Sequence, residues 1–268
     1  MKVNSPSATI KVSLMLSAAL CFGLISCAPK PPAHGTAYLI QIDTNSTAGT
    51  DNEAVLLVHT QQVLSKRLRV IGVPGFFEQL PHAQLLIKVP PSYRTNPDAV
   101  RQAISAVGRL EFRMVHPEND ELVAAGIVDP GYEMLRQQVK AANGSTMERA
   151  YLVNKKPERG LTGKYIKRAM VTRNPANDQP EISFEFNPEG AQIFHEVTKQ
   201  YSPKDGKYYY LAIVLDGRLY SAPRIQGAIP GGRGMITGQF DLKEALALAN
   251  ILENPLDPSH RIIDERTF

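Results

Sequence analysis

Cysteine is nearly absent from this chain. It has two, and Cys21 lies inside an apolar stretch near the N-terminus, which leaves Cys27 as the one thiol elsewhere. No disulfide can then form within the folded part, so its core has to hold without covalent staples. An excess of one charge is missing as well. Thirty Lys and Arg face 26 Asp and Glu, a formal +4 that falls to +2 without Lys2 and Lys11. So weak a bias argues against a nucleic-acid partner held by electrostatics. Signatures of metal and nucleophile chemistry are also lacking. His34, His59, His82, His116, His195 and His260 never stand at H-E-x-x-H spacing, and neither a G-x-S-x-G elbow nor a catalytic cysteine context occurs. His195 and Glu196 are adjacent on a predicted helix, where neighbours point to different sides. No metal, no cofactor and no enzymatic activity is expected.

One long apolar run is present. Lys2 and Lys11 precede Val12–Ile25, "VSLMLSAALCFGLI", which is shorter than the ~20 residues that span a bilayer and has the positive flank of an export signal. Its end, Leu24-Ile25-Ser26-Cys27, resembles the bacterial lipobox, in which the cysteine takes a lipid. Residues 1–26 therefore read as a lipoprotein signal peptide, Cys27 as the lipid attachment site and 27–35 as a proline-rich tether. The other reading is an ordinary signal peptide that happens to contain a cysteine. Ala28, in place of an aspartate, favours the outer membrane where the host has one.

From Thr36 the pattern is legible. "TAYLIQID" alternates like a strand; Asp51–Ile71 carries Leu57, Leu64 and Leu68 at helical spacing, with Asp51 as cap and Gly72 as stop. Strands follow near Phe76–Gln79 and Leu85–Val89. Asn96-Pro97 starts a helix with Val100, Ile104 and Val107 as its apolar stripe, and "RLEFRMV" alternates into a fourth strand. The order β-α-β-β-α-β predicts an α+β fold whose first module, 36–115, is a ferredoxin-like split βαβ. Residues 116–161 read as a turn-rich connector, partly head, with one strand at Glu148–Val153; head-to-base movement is expected through 116–131. A second α+β module spans 162–254, with strands at Tyr165–Thr172 and Ile182–Phe186 and a helix from Asn187-Pro188 to Tyr201. Tyr208 and Tyr210 are expected on one face of a buried strand. Residues 255–268 read as a tail.

The stretch "DGRLYSAPRIQGAIPGGRGMITG" is dense in glycine. A P-loop needs Lys and a hydroxyl residue after its last glycine, yet Gly238 precedes Gln239 and Phe240, and Gly232, Gly234 and Gly238 miss the dinucleotide spacing. The next helix starts instead at Asp241, paired with Glu244 in a capping box. The glycines therefore turn the chain, and Asp216-Gly217 is a primed hairpin turn. In "LAIVLDGRLYSAPRIQGAIPGGRGMITGQFDLKEALALANIL" the chain resembles the end of the first periplasmic domain of the SecD protein-export family. "LSKRLRVIGV", "GRLEFRMV", "LTGKYIKRAMV" and "ISFEFNPEGAQIFHEVT" resemble it in the same order, over about 36–252. Asp216, Gly217, Gly231, Gly232, Gly234 and Gly238 are the turn residues of that motif.

The resemblance implies two modules, a base and a head, and a role in handling exported polypeptide or docking on the Sec translocase. The membrane helices that carry the family's proton path have no counterpart in the sequence, so no proton-driven motor is expected. An extended segment would bind at open sheet edges and apolar grooves, with Arg224 and Arg233 as candidate polypeptide contacts. A structural envelope or assembly protein and a small-ligand-binding lipoprotein are the other readings. Nucleic acid is not expected as a partner, and the membrane is reached only through the anchor.

Overall fold

Alternating burial in Thr36–Ile42 makes β1, with Tyr38, Ile40 and Ile42 turned inward. In the computed structural model the described residues are 30–44, 53–91, 96–140, 145–256 and 259–268; the signal segment, Cys27 and Asp51 lie outside them. Helix α1, Glu53–Val70, buries Leu57, Leu64 and Leu68 on the predicted stripe. It ends at Gly72 with the Val73 N–H returning to the Leu68 carbonyl, a glycine-terminated helix end that satisfies an orphan carbonyl. Strands β2 (Phe76–Leu80) and β3 (Gln84–Val89) form a hairpin. Helix α2 spans Pro97–Ser105, capped by the Asn96 side chain, which accepts from the Asp98 N–H at 2.9 Å. It stops before Val107, which was expected on its apolar stripe.

Strand β4, Leu110–Met114, departs from the sequence reading: it pairs with a strand of the second module and not with β1. Alternation explains the error, because it reports a strand and is silent about which sheet receives it. Beyond β4 come α3 (Asn119–Ala125), β5 (Tyr132–Lys140), β6 (Thr146–Asn154), β7 (Ile166–Arg173), β8 (Pro180–Phe186), α4 (Pro188–Gln200), β9 (Leu211–Leu215), β10 (Arg218–Ser221), β11 (Arg233–Ile236), α5 (Leu242–Glu253) and β12 (His260–Thr267). Residues 116–161, read as a connector with one strand, hold a helix and a two-stranded hairpin, β5–β6.

The tail is not a tail. β12 pairs antiparallel with β1 and completes a sheet of order β12-β1-β3-β2 over α1 and α2. The place in the base sheet that the sequence reading gave to 110–114 thus belongs to β12. The base is closed by the two ends of the described fold, and the head is inserted between α2 and β12. The base core gathers Tyr38, Leu64, Leu85, Ile104 and Leu256. The head packs sheet β11-β8-β7 and sheet β10-β9-β4 with α4 and α5 around Phe112, Phe184, Phe186 and Phe194. Rings of those four phenylalanines lie 5.2 to 6.4 Å apart in tilted and edge contacts, which add to their burial. On the far side of β9, Val115, Tyr151, Val153, Ala212 and Val214 hold the β5–β6 hairpin in a second, smaller core.

Two crossings join head to base, at 106–109 and at 254–256, and 116–131 is neither of them. Arg67, buried on α1, clasps both. Its guanidinium donates to the Ala106 carbonyl, and to the Asn254 carbonyl at 2.8 Å. The Leu256 N–H meets the Val107 carbonyl at 2.8 Å. Burial pulls the Arg67 guanidinium down to about 10, against the Asp216 carboxylate, which raises it; it stays charged at neutral pH and needs those oxygens.

Candidate functional site

The glycine stretch builds one side of the head. Asp216 and Gly217 both have positive φ, +49° and +80°, and link β9 to β10 by a two-residue loop, as the primed turn requires. The Asp216 carboxylate accepts from the Arg109 N–H at 2.8 Å and the Gly108 N–H at 3.1 Å, so the turn is fastened to the first crossing. Gly232, at φ +61°, lies against α4, where an added Cβ would stand 2.4 Å from the Ala191 Cβ. Gly234 and Gly238 bring backbone against the Phe184 and Phe240 rings; Gly231 meets nothing within 4 Å. The capping box at Asp241 forms in both directions, at 2.8 and 2.9 Å.

Between those glycines runs β11. It pairs on one side with β8, Arg233 opposite Glu185 and Met235 opposite Ser183, and no strand pairs with its other side among the described residues. The Phe186 N–H donates to the Gly232 carbonyl at 2.9 Å, so Gly232, Gly234 and Ile236 take the hydrogen-bonded places toward β8. The alternation of an antiparallel ladder then turns the N–H and C=O of Arg233 and Met235 to the open side.

The outer face of this sheet carries two rows. Met235, Ser183 and Met170 align across the strands, and the two methionines are 54% and 41% exposed. Arg233, Glu185 and Arg168 align beside them. Arg233 lies 3.5 Å and Lys167 3.1 Å from the Glu185 carboxylate. The Lys167 hydrogen bond and charge hold Glu185 below the usual carboxylate range. This face therefore joins exposed apolar sulfur to a surplus of cations.

Four other edges are guarded. β12 bears a register shift opposite Leu39/Ile40 and a charged outer row with Arg266 and Asp264 at 3.8 Å; bulges and charges are how edge strands resist pairing. On β7 the Ala169 N–H is taken by Glu253 at 3.1 Å. β2 exposes Glu78 and Gln79, and the β10 carbonyl of Tyr220 accepts from Gln137 at 3.0 Å.

Arg224, the other candidate contact, is elsewhere. Its guanidinium stacks over Tyr208 at 4.1 Å, and its backbone bridges to Tyr210 beside the start of β9. Tyr208 is 45% exposed, contrary to the buried-face expectation, while Tyr209 and Tyr210 pack into different cores. A cleft of about 380 Å³ lies between the β5–β6 hairpin, β10 and the start of α5, walled by Arg136, Gln137, Tyr220, Gln239 and Glu244. The Tyr220 ring is stacked on Phe240 and covered by Arg218, so it offers no free face, and burial pushes its hydroxyl pKa up.

Sequence reasoning missed Arg67 and His260. His260 opens β12, buried, with Nε2 on the Ile104 carbonyl and Nδ1 unpartnered. A lone arginine or histidine in a polar run carries no periodic signal, so nothing in the pattern pointed to them.

The comparisons agree with this architecture. Residues 134–256 match the family model of the SecDF P1 head subdomain. The protein translocase subunit SecD of Magnetococcus marinus is 31% identical over 208 residues, covering 77% of this chain and 38% of that protein. SecD of Rickettsia prowazekii is 35% identical over 186 residues, 69% of this chain and 33% of that protein. The chain thus spans about a third of the length of these curated relatives. A solved chain of SecDF, described as a membrane component that enhances protein export, superposes with a TM-score of 0.57 at 24% identity over 87% of this chain and all of that one. SecDF in its super-membrane-facing form gives 0.58 at 23%, over 90% of this chain and 32% of that one. At such identities the structures speak for the fold, an α+β one. The resemblance drawn from the ordered motifs therefore holds beyond the head, across the SecD first periplasmic domain.

Proposed function

We propose that this SecD-like domain serves protein export as a non-enzymatic accessory, contacting exported or unfolded polypeptide outside the cytoplasmic membrane. The observation that carries the reading is the open side of β11, set between glycines and flanked by exposed methionine. An extended chain added there would gain main-chain hydrogen bonds without regard to sequence, while ordering the flexible ligand opposes binding. Docking on the Sec translocase and attachment to a membrane through a lipid on Cys27 belong to the same reading, with the periplasm or cell exterior as the compartment and the outer membrane favoured where one exists. Among the described residues no helix is long and apolar enough to cross a membrane.

Titration of the purified full chain with a reduced, unfolded secretory protein, and with its folded form, tests the reading. Weak binding to the unfolded form alone is expected. Equal binding to both, or to neither at high micromolar concentration, would put a structural role in the envelope ahead. Intact mass of membrane-extracted protein checks the anchor: the expected product begins at Cys27 and carries lipid, and an unmodified residue 27 refutes it.

A further inference from the structure

Met235 and Arg233 stand on one face of β11, two residues apart, and each heads a row that crosses the sheet. The first row is Met235–Ser183–Met170 and the second Arg233–Glu185–Arg168, with Lys167 beside it. Two of these cations, Arg233 and Lys167, share the Glu185 carboxylate. A strand added to the open side of β11 would extend both rows, because residues two apart on a strand share a face. The position facing Met235 then meets exposed thioether and methylene surface, which adapts to many apolar side chains. The position facing Arg233 meets a guanidinium whose carboxylate partner, Glu185, is already shared with Lys167.

From this, resting on the export reading above, we infer that β11 selects extended polypeptide segments of the pattern apolar-x-acidic, paired strand to strand along its open side. The occupant is a polypeptide and not a lipid surface, because a planar headgroup layer would use the cations but leave the edge N–H and C=O of Arg233 and Met235 unpaired. Basic segments would place like charge against Arg233, an arrangement that opposes pairing.

The experiment uses the full chain and short synthetic peptides in three forms. The first alternates leucine and glutamate on one face, the second has lysine for glutamate, and the third is the first with alternate backbone nitrogens methylated. The acidic peptide is expected to bind about fivefold more tightly than the basic one, as one partly exposed ion pair with Arg233 in the first and a like-charge contact in the second would give, and methylation should abolish binding. R233E should reverse the preference. Met235→Pro should remove binding without unfolding the head, since proline is tolerated on an edge strand whose N–H faces outward; an unchanged melting curve checks that. Should the proline variant fail to fold, the methylated peptide still decides whether backbone pairing is used. If unfolded protein binds but the peptides show no charge preference, the inference is overturned and the export reading stands. Should neither unfolded protein nor peptide bind, both fall. Binding to anionic vesicles with none to peptide also overturns the inference.

Discussion

Base and head manage their sheet edges in opposite ways. In the base, one four-stranded sheet lies over two helices, and its last strand is bulged and lined with charge. In the head, two three-stranded sheets share a phenylalanine core with two helices, a hairpin packs on a second core, and the outer N–H and C=O groups of the short edge strand Arg233–Ile236 meet no partner among the described residues. The base is thus built to end its sheet, and the head to leave one extendable. Edge exposure is a hazard that folded proteins suppress, and that is what gives the open side of β11 its meaning.

The division rests on the clasp between modules, so the largest expected effect is there. Arg67→Ala would leave the carbonyls of Ala106 and Asn254 without their donor, inside a site that buries all of the Arg67 side chain but 1%. Lost hydrogen bonds to a buried charge predict destabilisation of about 3 kcal/mol, read by denaturant melting. If base and head then melt in separate steps, the clasp is what couples them; a variant as stable as the parent would break the comparison.

Next come the glycines of the head. Gly232→Val meets two obstacles, the positive φ and the Ala191 Cβ at 2.4 Å, whereas Gly217→Val meets only φ +80° in open space. Backbone strain alone costs about 1–3 kcal/mol, so Gly217→Val should fall in that range and Gly232→Val above it. Limited proteolysis should show the damage confined to the head in both. A base that loosens equally would show that the modules do not fold as separate cores.

The base has its own pH dependence through His260. Burial pulls its pKa down, Arg67 on α1 pushes it the same way, and the Ile104 carbonyl and Asp216 oppose. The native chain therefore refuses a proton that the unfolded chain accepts. Stability from this residue is whole above the unfolded value of roughly 6.5, is lost as pH falls toward the native value, and levels off below it. The melting temperature should drop between pH 7.5 and 5, and His260→Gln, which keeps a donor for Ile104, should flatten that part of the profile. An unchanged profile in the variant would remove His260 from the account.

Much of this fold was legible. The alternation of Tyr38, Ile40 and Ile42, the caps at Asn96, Asn187 and Asp241, and the Asp216-Gly217 turn are local signals, each made within a few residues. What stayed hidden was long-range. Strand 110–114 looks the same whichever sheet takes it, and β12, exposed along most of its length, lacks the apolar alternation that marks a half-buried strand. The candidate site was half legible for the same reason: the glycines announced a turn-rich loop and Arg233 lay in it, but the residues paired with Arg233 and Met235, Glu185 and Ser183, come from β8, well before it in the chain, and pairing at that distance leaves no mark on sequence.

Arg224 should produce the smallest effect, and it tests the comparison from the other side. It lies in the same glycine stretch as Arg233, yet its guanidinium is already engaged over the Tyr208 ring and its backbone is tied to Tyr210. Both side chains are exposed, where such a contact is worth about 0.5–1 kcal/mol. Arg224→Ala and Tyr208→Ala should each cost no more than that, and the double variant should cost less than the sum, because one contact is lost in all three. Polypeptide binding should be unmoved in each, since this pair flanks the start of β9 and not the open side of β11. If Arg224→Ala weakens binding as much as R233E does, the ligand is reading the charge of the whole loop. The edge of β11 would then lose its privilege, and the contrast between a closed base and an open head would have to be redrawn around the loop.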